Sequence, residues 1–560
     1  MKKVLIRSLS ILLILGAALG VSGYVSRSDI VLAILPTFVK FKVPVGPNQE
    51  VNWQQGPSAA AEKATDRPPN IVVILADDLG FNDVSYYADD KSTATMTTPN
   101  IDILANQGVA FTNGYSGTAT CAISRAMMMT GRYSTRFGFE FTPTPPGMMS
   151  ILSMLNDEGT SLRKAVFSQE NIDAYPGYEA SGMPTDEITI AEVLKTKGYH
   201  NIHIGKWHLG LNEGSVPEDQ GFDESLRLDG GLFLPKDSPD VVNSYQDYDP
   251  IDKFLWAAVP YATSFNTKAK KSGAFEPKGY LTDYYTDEAV KAIEANKNRP
   301  FFLYLAHWGI HTPLQATKAD YDALSHIKDH RKRVYAAMIR SIDRSVEKVT
   351  QALKDNGLEA NTIVIFTSDN GGAGYVGLPD INKPYRGWKI SLFEGGTHVP
   401  YFVKWPKQIP AGTVNDMPIS HMDVFGTAAA AAGAEIPQDR KLDGVDLLPY
   451  IKGEAEGQPH DQIVWRSGQY QALRTKDWKL QVEGMRDKTW LYHLANDPTE
   501  QNNIAESNPE KVAELKQLLA AHNAEQKPSM WKPQVQSPIS IDKTRAEKES
   551  PDDEYIWWDN

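Results

Sequence analysis

The sequence predicts an α/β domain, with a central mixed or mostly parallel sheet flanked by helices, followed by a small antiparallel sheet with a helix. Three observations carry that prediction. Continuous β-branched and apolar runs, such as Asn70 to Ala76 (NIVVILA), read as strands buried on both faces. Helical patterns alternate with such runs through most of the chain. After about Gly453 the texture changes to short strands separated by turns.

Taken in chain order, Asn70–Ala76 is the first buried strand. A helix-forming run, Arg125 to Met129, follows the small residues Gly117 to Thr120 and the lone Cys121. Ile190 to Lys197 reads as a helix and Asn201 to Ile204 as a short strand. Pro300 to Ala306 (PFFLYLA) is another buried strand, His330 to Asn356 a long amphipathic helix, and Asn361 to Thr367 (NTIVIFT) a further buried strand. The later strands are expected at Trp465-Arg466, Tyr470 to Arg474, Trp478 to Val482 and Thr489 to His493, with a helix from Asn508 to Gln526. The expected organisation is a signal peptide or signal anchor over 1–23 and an N-terminal extension over 24–66. A catalytic domain then covers 67–453, a C-terminal subdomain 454–534, and an acidic tail 535–560, packed by Trp557 and Trp558 or disordered.

The bulk numbers set limits. A chain of 560 residues, 41% hydrophobic and 23% charged, has the composition of a globular protein with one large and one smaller domain. Its formal net charge of −13 excludes nucleic-acid binding as a main role. An acidic protein that handles anions must therefore concentrate cations at one site. The N-terminus carries a basic cluster (Lys2, Lys3, Arg7) before a mostly apolar run, Ser8 to Gly20. That pattern predicts export to the periplasm or the extracellular space. Any membrane contact would run through this segment if it is not cleaved. With one cysteine, the chain does not depend on internal disulfides, and Cys121 is not part of a paired Cys-x-x-Cys site.

The chemistry-bearing residues fall into a few groups. Cys121 is expected at a helix N-terminus, where backbone N–H groups and the dipole favour an anion, with Arg125 one turn on along the same face. Two buried strands end alike, one in Asp77-Asp78 and the other in Asp369-Asn370. Ligands of open α/β sheets bind outside the carboxyl ends of the strands. These four side chains offer only oxygen, which favours Ca²⁺, with Mg²⁺ second, over zinc. Lys206 and His208, two apart after a short strand, would face the same way in an extended segment. His311 follows the strand 300–306, and nearby His307 reads as strand-end packing. Lys389 lies shortly before Glu394 and His398.

These residues and motifs resemble the sulfatases, the formylglycine-dependent type I enzymes of the alkaline phosphatase-like superfamily. Thr120 to Arg125 is similar to the family signature Cys/Ser-x-Pro-Ser-Arg, followed at the family spacing by Thr130-Gly131-Arg132. Ile123 stands where the family has Pro, within the pentapeptide that the modifying enzyme reads. Gly205-Lys206-Trp207-His208 is similar to the family Gly-Lys-x-His motif, and Lys389 with Glu394 to Pro400 to its Lys and Glu-Gly-Gly-x-Arg-Val-Pro. There His398 replaces Arg, for which a stability cost rather than a loss of chemistry is expected. Trp478-Lys479-Leu480 and Leu491 to Glu500 resemble segments of the family's C-terminal subdomain. The resemblance spans about residues 67–530.

The resemblance implies an exported sulfatase that hydrolyses a sulfate ester, on a carbohydrate or an aryl group. Cys121 would become formylglycine through a formylglycine-generating enzyme, and its hydrate would be the nucleophile. Asp77, Asp78, Cys121, Asp369 and Asn370 would hold the metal, and Arg125, Lys206 and Lys389 would neutralise the sulfate. One of His208 and His311 would protonate the leaving oxygen. Two other readings remain: a phosphatase or phosphonate monoesterase of the same fold, and a non-catalytic binder of sulfated glycans should Cys121 stay unconverted. Tyr175, Tyr178, Phe222, Phe233 and Trp256 lie in candidate specificity loops, where sugar stacking and core packing are both open to them.

Overall fold

The computed structural model describes residues 26–88, 93–267 and 270–560. The basic and apolar N-terminal run lies outside the described residues.

The centre is a ten-stranded mixed sheet. Its middle holds four parallel strands: β1 (Asn70–Ala76), β2 (His200–Gly205), β3 (Phe301–Ala306) and β4 (Thr362–Ser368), in the spatial order β4-β1-β3-β2. An antiparallel strand, β5 (Tyr401–Lys404), flanks β4. All residues of β1, β2, β3 and β4 are buried, because each alternates between two cores. Val72 and Ile74 join the core on one face, Ile71, Val73 and Leu75 the core on the other. The 26-residue helix α3 (His330–Asp355) covers the first face, and the shorter α2 (Cys121–Thr130) lies in the second core. The strands and helices predicted from sequence appear within about two residues of their expected ends.

Register matters more than element count. Ala76 pairs with Ser368 and Ala306 with Gly205, so Asp77, Asp369, Lys206 and His307 follow neighbouring parallel strands at one edge. Gly205 adopts a φ of 106°, and a Cβ there would stand 1.9 Å from the Ala306 oxygen, so only glycine allows this turn. The turn lets the Lys206 amide donate to that oxygen at 2.8 Å.

The second sheet is a four-stranded antiparallel meander, Ile463–Ser467, Tyr470–Arg474, Trp478–Glu483 and Lys488–His493, followed by the helix Pro509–Ala524. The residues expected to form a tail instead build a third sheet: Val535–Ser540 pairs with Tyr555–Asp559 and with Val166–Phe167. Trp558 packs against two of the cores. The expected linker is likewise engaged: Val51 and Trp53 enter the main core, and the Trp53 indole donates to Glu288 at 2.9 Å. Before it, helix α1 (Arg27–Lys42) packs against the helices Met148–Glu158 and Pro250–Ala258.

Candidate active site

The carboxyl edge of the parallel strands gathers three carboxylates, three cations, one thiol and two imidazoles. Cys121 opens α2, and the Thr120 side chain does not cap that helix, leaving the first-turn N–H groups free of a side-chain partner. Its Sγ lies 3.6 Å from Asp77 Oδ1 and 3.9 Å from Asp78 Oδ1. Burial, reinforced by Asp369, pushes this thiol well up, so it stays protonated and a poor nucleophile. One turn on, Arg125 is fully buried and bridges two strand ends. Its guanidinium reaches Asp369 Oδ2 at 2.8 Å and Asp77 Oδ2 at 3.0 Å, and Nη1 donates to the Lys206 oxygen at 2.9 Å.

Of the other two cations, Lys206 shares Asp77 with Arg125 and Lys389 pairs with Asp78. Lys206 Nζ is 2.6 Å from Asp77 Oδ2 and sits over the Trp308 ring. Lys389 Nζ is 2.7 Å from Asp78 Oδ1 and 3.1 Å from the Tyr375 hydroxyl. Burial and the neighbouring Asp369 raise Asp77 to about 6. Burial also acts upward on Asp78, but the nearby ammonium groups, Lys389 first and then Lys206, outweigh it and hold that carboxyl well below its usual range.

Both histidines face this centre. His311 Nδ1 is 2.6 Å from the Thr312 carbonyl, to which it must donate, so Nε2 is the atom turned to the site, 3.7 Å from Asp78 Oδ2. Its ring stacks on Trp308. His208 has a φ of 65°, so the strand alternation expected for Lys206 and His208 does not hold. A turn presents His208 instead, and its buried Nδ1 has no partner. Burial lowers both imidazoles far below their ordinary value, and both are neutral; the nearby lysines add to the effect. His307 turns away, with Nε2 2.8 Å from Ser345 Oγ of α3.

The residues present fit a cation. The Asn370 amide nitrogen donates to Asp78 Oδ1, while its Oδ1 is buried with no partner, an acceptor left for a ligand. Asp77, Asp78, Cys121 and His311 offer ligand atoms within 4.8 Å of one another. The sequence motifs held no His or Cys beside the acidic pairs; the fold brings one of each. Tyr375 escaped the sequence reading. Its hydroxyl donates to Asp78 Oδ2 at 2.9 Å from a loop whose sequence carries no signal beyond following Asn370.

A surface cavity of about 450 Å³ is lined by Tyr245, Asp247, His330 and Arg331 among others, none of them among the residues of the cluster. Its lining Ser244 pairs with Leu314, three residues after His311, and Arg331 donates to the Gly377 oxygen, two residues after Tyr375. Of the loop aromatics, Phe222 and Phe233 are core residues; Trp256 packs on the exposed Tyr245 ring at 4.3 Å.

This sheet edge, with acidic strand ends, a cationic clamp and a helix-borne cysteine, defines a hydrolase of anionic esters. The sulfatase family model matches residues 69–434, and the N-sulphoglucosamine sulphohydrolase C-terminal model matches 387–527. The chain is 33% identical to the N-acetylgalactosamine-6-sulfatase of Mus musculus, over 75% of each chain. It is 31% identical to the uncharacterized sulfatase YdeN of Escherichia coli, over 72% of this chain and 70% of that one. The crystal structure of Ps i-CgsB in complex with k-i-k-neocarrahexaose superposes with a TM-score of 0.65 at 30% identity, over 83% of this chain and 95% of that one. The chain therefore belongs to the sulfatase family and is a sulfuric ester hydrolase.

Proposed function

We propose that the chain is an exported enzyme that hydrolyses a sulfate ester on a carbohydrate, using formylglycine made from Cys121 and a bound calcium ion. The observation that carries the reading is the convergence of Cys121, Arg125, Lys206 and Lys389 on Asp77, Asp78 and Asp369. The names of the relatives support a sugar substrate, since they include an N-acetylgalactosamine-6-sulfatase and a protein complexed with neocarrahexaose. The exposed Tyr245 beside the cavity adds an aromatic face of the kind that stacks on sugar rings. The basic and apolar N-terminal run supports export.

Asp77, Asp78, Asp369 and Asn370, with the side chain at 121, would hold the calcium, which when bound lowers the pKa of a coordinated oxygen. Formylglycine supplies the oxygen nucleophile that a buried, protonated thiol does not. Arg125 ties together the carboxylates that end two neighbouring strands. Lys206 and Lys389 have carboxylate partners already, so a divalent cation on those carboxylates would release both ammonium groups toward the sulfate and the leaving oxygen. With Nδ1–H locked on Thr312, His311 Nε2 is a bare acceptor in the neutral ring and would serve the leaving alcohol as an acid only after taking up a proton; His208 is the second candidate.

The test is the mass of the tryptic peptide Ser92 to Arg125 from enzyme matured in its native host, paired with hydrolysis of 4-nitrophenyl sulfate and 4-nitrophenyl phosphate. A peptide at the formylglycine mass with sulfate release supports the reading. Unmodified Cys121 without turnover overturns it in favour of a glycan binder, and phosphate release alone in favour of a phosphatase.

A further inference from the structure

Helix α1 is apolar on two sides, and only one side has a partner inside the protein. Val31, Leu32 and Leu35 pack against Met149, Leu152 and Phe254. The start of the helix is pinned to the body, since the Arg27 amide donates to Glu158 Oε1 at 3.1 Å and the Ser28 hydroxyl also donates to Glu158. The adjoining outward side carries Ile34 (41% exposed), Phe38 (55%) and Phe41 (77%), at i, i+4 and i+7, and so on one face. Val43, 38% exposed, follows as the C-cap residue. Among the described residues the other exposed large apolar side chains are scattered along the sequence, whereas these four fall within ten residues.

We propose that this outward face of α1 docks on the surface of an anionic lipid bilayer. The chemistry around the face selects that occupant. The first 47 residues hold six basic side chains (Lys2, Lys3, Arg7, Arg27, Lys40 and Lys42) against the single acidic Asp29, in a chain of net charge −13. Of these, Arg27, Lys40 and Lys42 lie on the described helix itself, against Asp29, so an otherwise acidic protein carries local positive charge beside this apolar face, which suits anionic headgroups over acyl chains. Lys40 and Lys42 are exposed next to Phe41, and Lys42 Nζ lies over the Phe38 ring at 5.6 Å. Long basic stems of this kind keep their heads in the headgroup layer while aromatic neighbours enter the boundary. No described helix, α1 included, is long and apolar enough to cross a membrane. This inference stands independently of the sulfate-ester reading.

The experiment is flotation of the full chain with vesicles of equal parts phosphatidylethanolamine and phosphatidylglycerol, and with phosphatidylcholine vesicles. The comparison is with a full-chain Ile34→Ser/Phe38→Ser/Phe41→Ser variant and with Lys40→Glu/Lys42→Glu. The wild type should float with the anionic vesicles, and the serine variant's bound fraction should fall about tenfold. The charge-reversed variant should lose most of the preference for anionic lipid. The serine substitutions touch solvent, so the melting temperature should not move. Wild type that stays at the bottom overturns the proposal. So does a serine variant that floats as well as wild type, which would assign binding to the residues before α1. A wild-type dimer that becomes a monomer on serine substitution, without flotation, would assign the face to a second copy and also overturn it.

Discussion

The Asn370 side-chain nitrogen donates to Asp78 Oδ1 at 2.8 Å, while the Oδ1 of the same amide is buried and accepts from nothing. A buried acceptor without a donor costs about 1–3 kcal/mol, and a cation at that atom recovers it. Calcium should therefore raise the melting temperature of the protein above its value in EDTA, with magnesium raising it less. Asn370→Leu should abolish most of that calcium-dependent shift while leaving the EDTA melting point near wild type. An equal shift in both proteins would show that Asn370 does not meet the ion.

Cys121 meets Asp77 at 3.6 Å, and burial keeps its thiol protonated. Conversion to formylglycine, as proposed, would give this position the oxygen nucleophile that the buried thiol is not. Cys121→Ala should lower kcat by about 10³-fold or more, as loss of a nucleophile does, with an unchanged circular dichroism spectrum. If the alanine variant keeps more than a tenth of wild-type turnover, residue 121 is not the nucleophile.

Much of this was legible before the fold was known, for reasons that differ by residue. Asp77 and Asp369 were readable because each ends an unbroken apolar run, and parallel register turns matching strand ends into neighbours. Cys121 and Arg125 were readable from helical spacing. His208 was misplaced because a positive φ at one residue cancels strand alternation, and nothing in Gly-Lys-Trp-His announces it. Tyr375 stayed hidden because its contact with Asp78 spans nearly three hundred residues and depends on a loop. The end of the chain looked like a tail because its two strands, Val535–Ser540 and Tyr555–Asp559, are separated by a long polar stretch and dock on the two-residue segment Val166–Phe167, too short to show periodicity. The His398 substitution was visible, but its compensation was not.

His398 is buried with Nδ1 2.9 Å from Glu394 Oε2 and Nε2 2.8 Å from the Thr112 oxygen. Burial lowers its pKa, yet both ring nitrogens face acceptors, so the hydrogen-bond geometry demands a proton on each and makes the ring a charged donor. It supplies two N–H groups where relatives of the family use a guanidinium. The ring also stacks on Tyr385 at 4.2 Å. His398→Ala should therefore destabilise the fold by about 2–4 kcal/mol, through the lost packing and two stranded acceptors. The value of kcat at a temperature where the variant is folded should stay within about twofold, because His398 touches none of the reacting groups. Urea unfolding and initial rates together check this; a large loss of kcat in folded variant would place His398 in the chemistry.

His307 gives the sharpest pH test, because burial alone sets its state. It lies at the end of β3 with Nε2 on Ser345, and burial drives its pKa down to about 3. The unfolded chain holds the same imidazole near its ordinary value of about 6.5. Between those two values the unfolded state binds a proton that the folded state refuses, so this residue's contribution to stability is intact above pH ~6.5 and declines as the pH falls toward 3. His307→Gln keeps a polar group near Ser345 and removes the titration. The stability advantage of wild type over the variant should thus narrow by roughly 1 kcal/mol per pH unit below pH ~6.5. Comparing the two proteins cancels the other buried groups, including Asp83 and Asp252, which burial raises to about 7 and which push stability the opposite way over the same range. Urea melts at several pH values between neutrality and the onset of acid unfolding measure the gap. A gap that stays constant with pH would mean that His307 is protonated in the folded enzyme, and that the carboxyl edge of β3 is open to water.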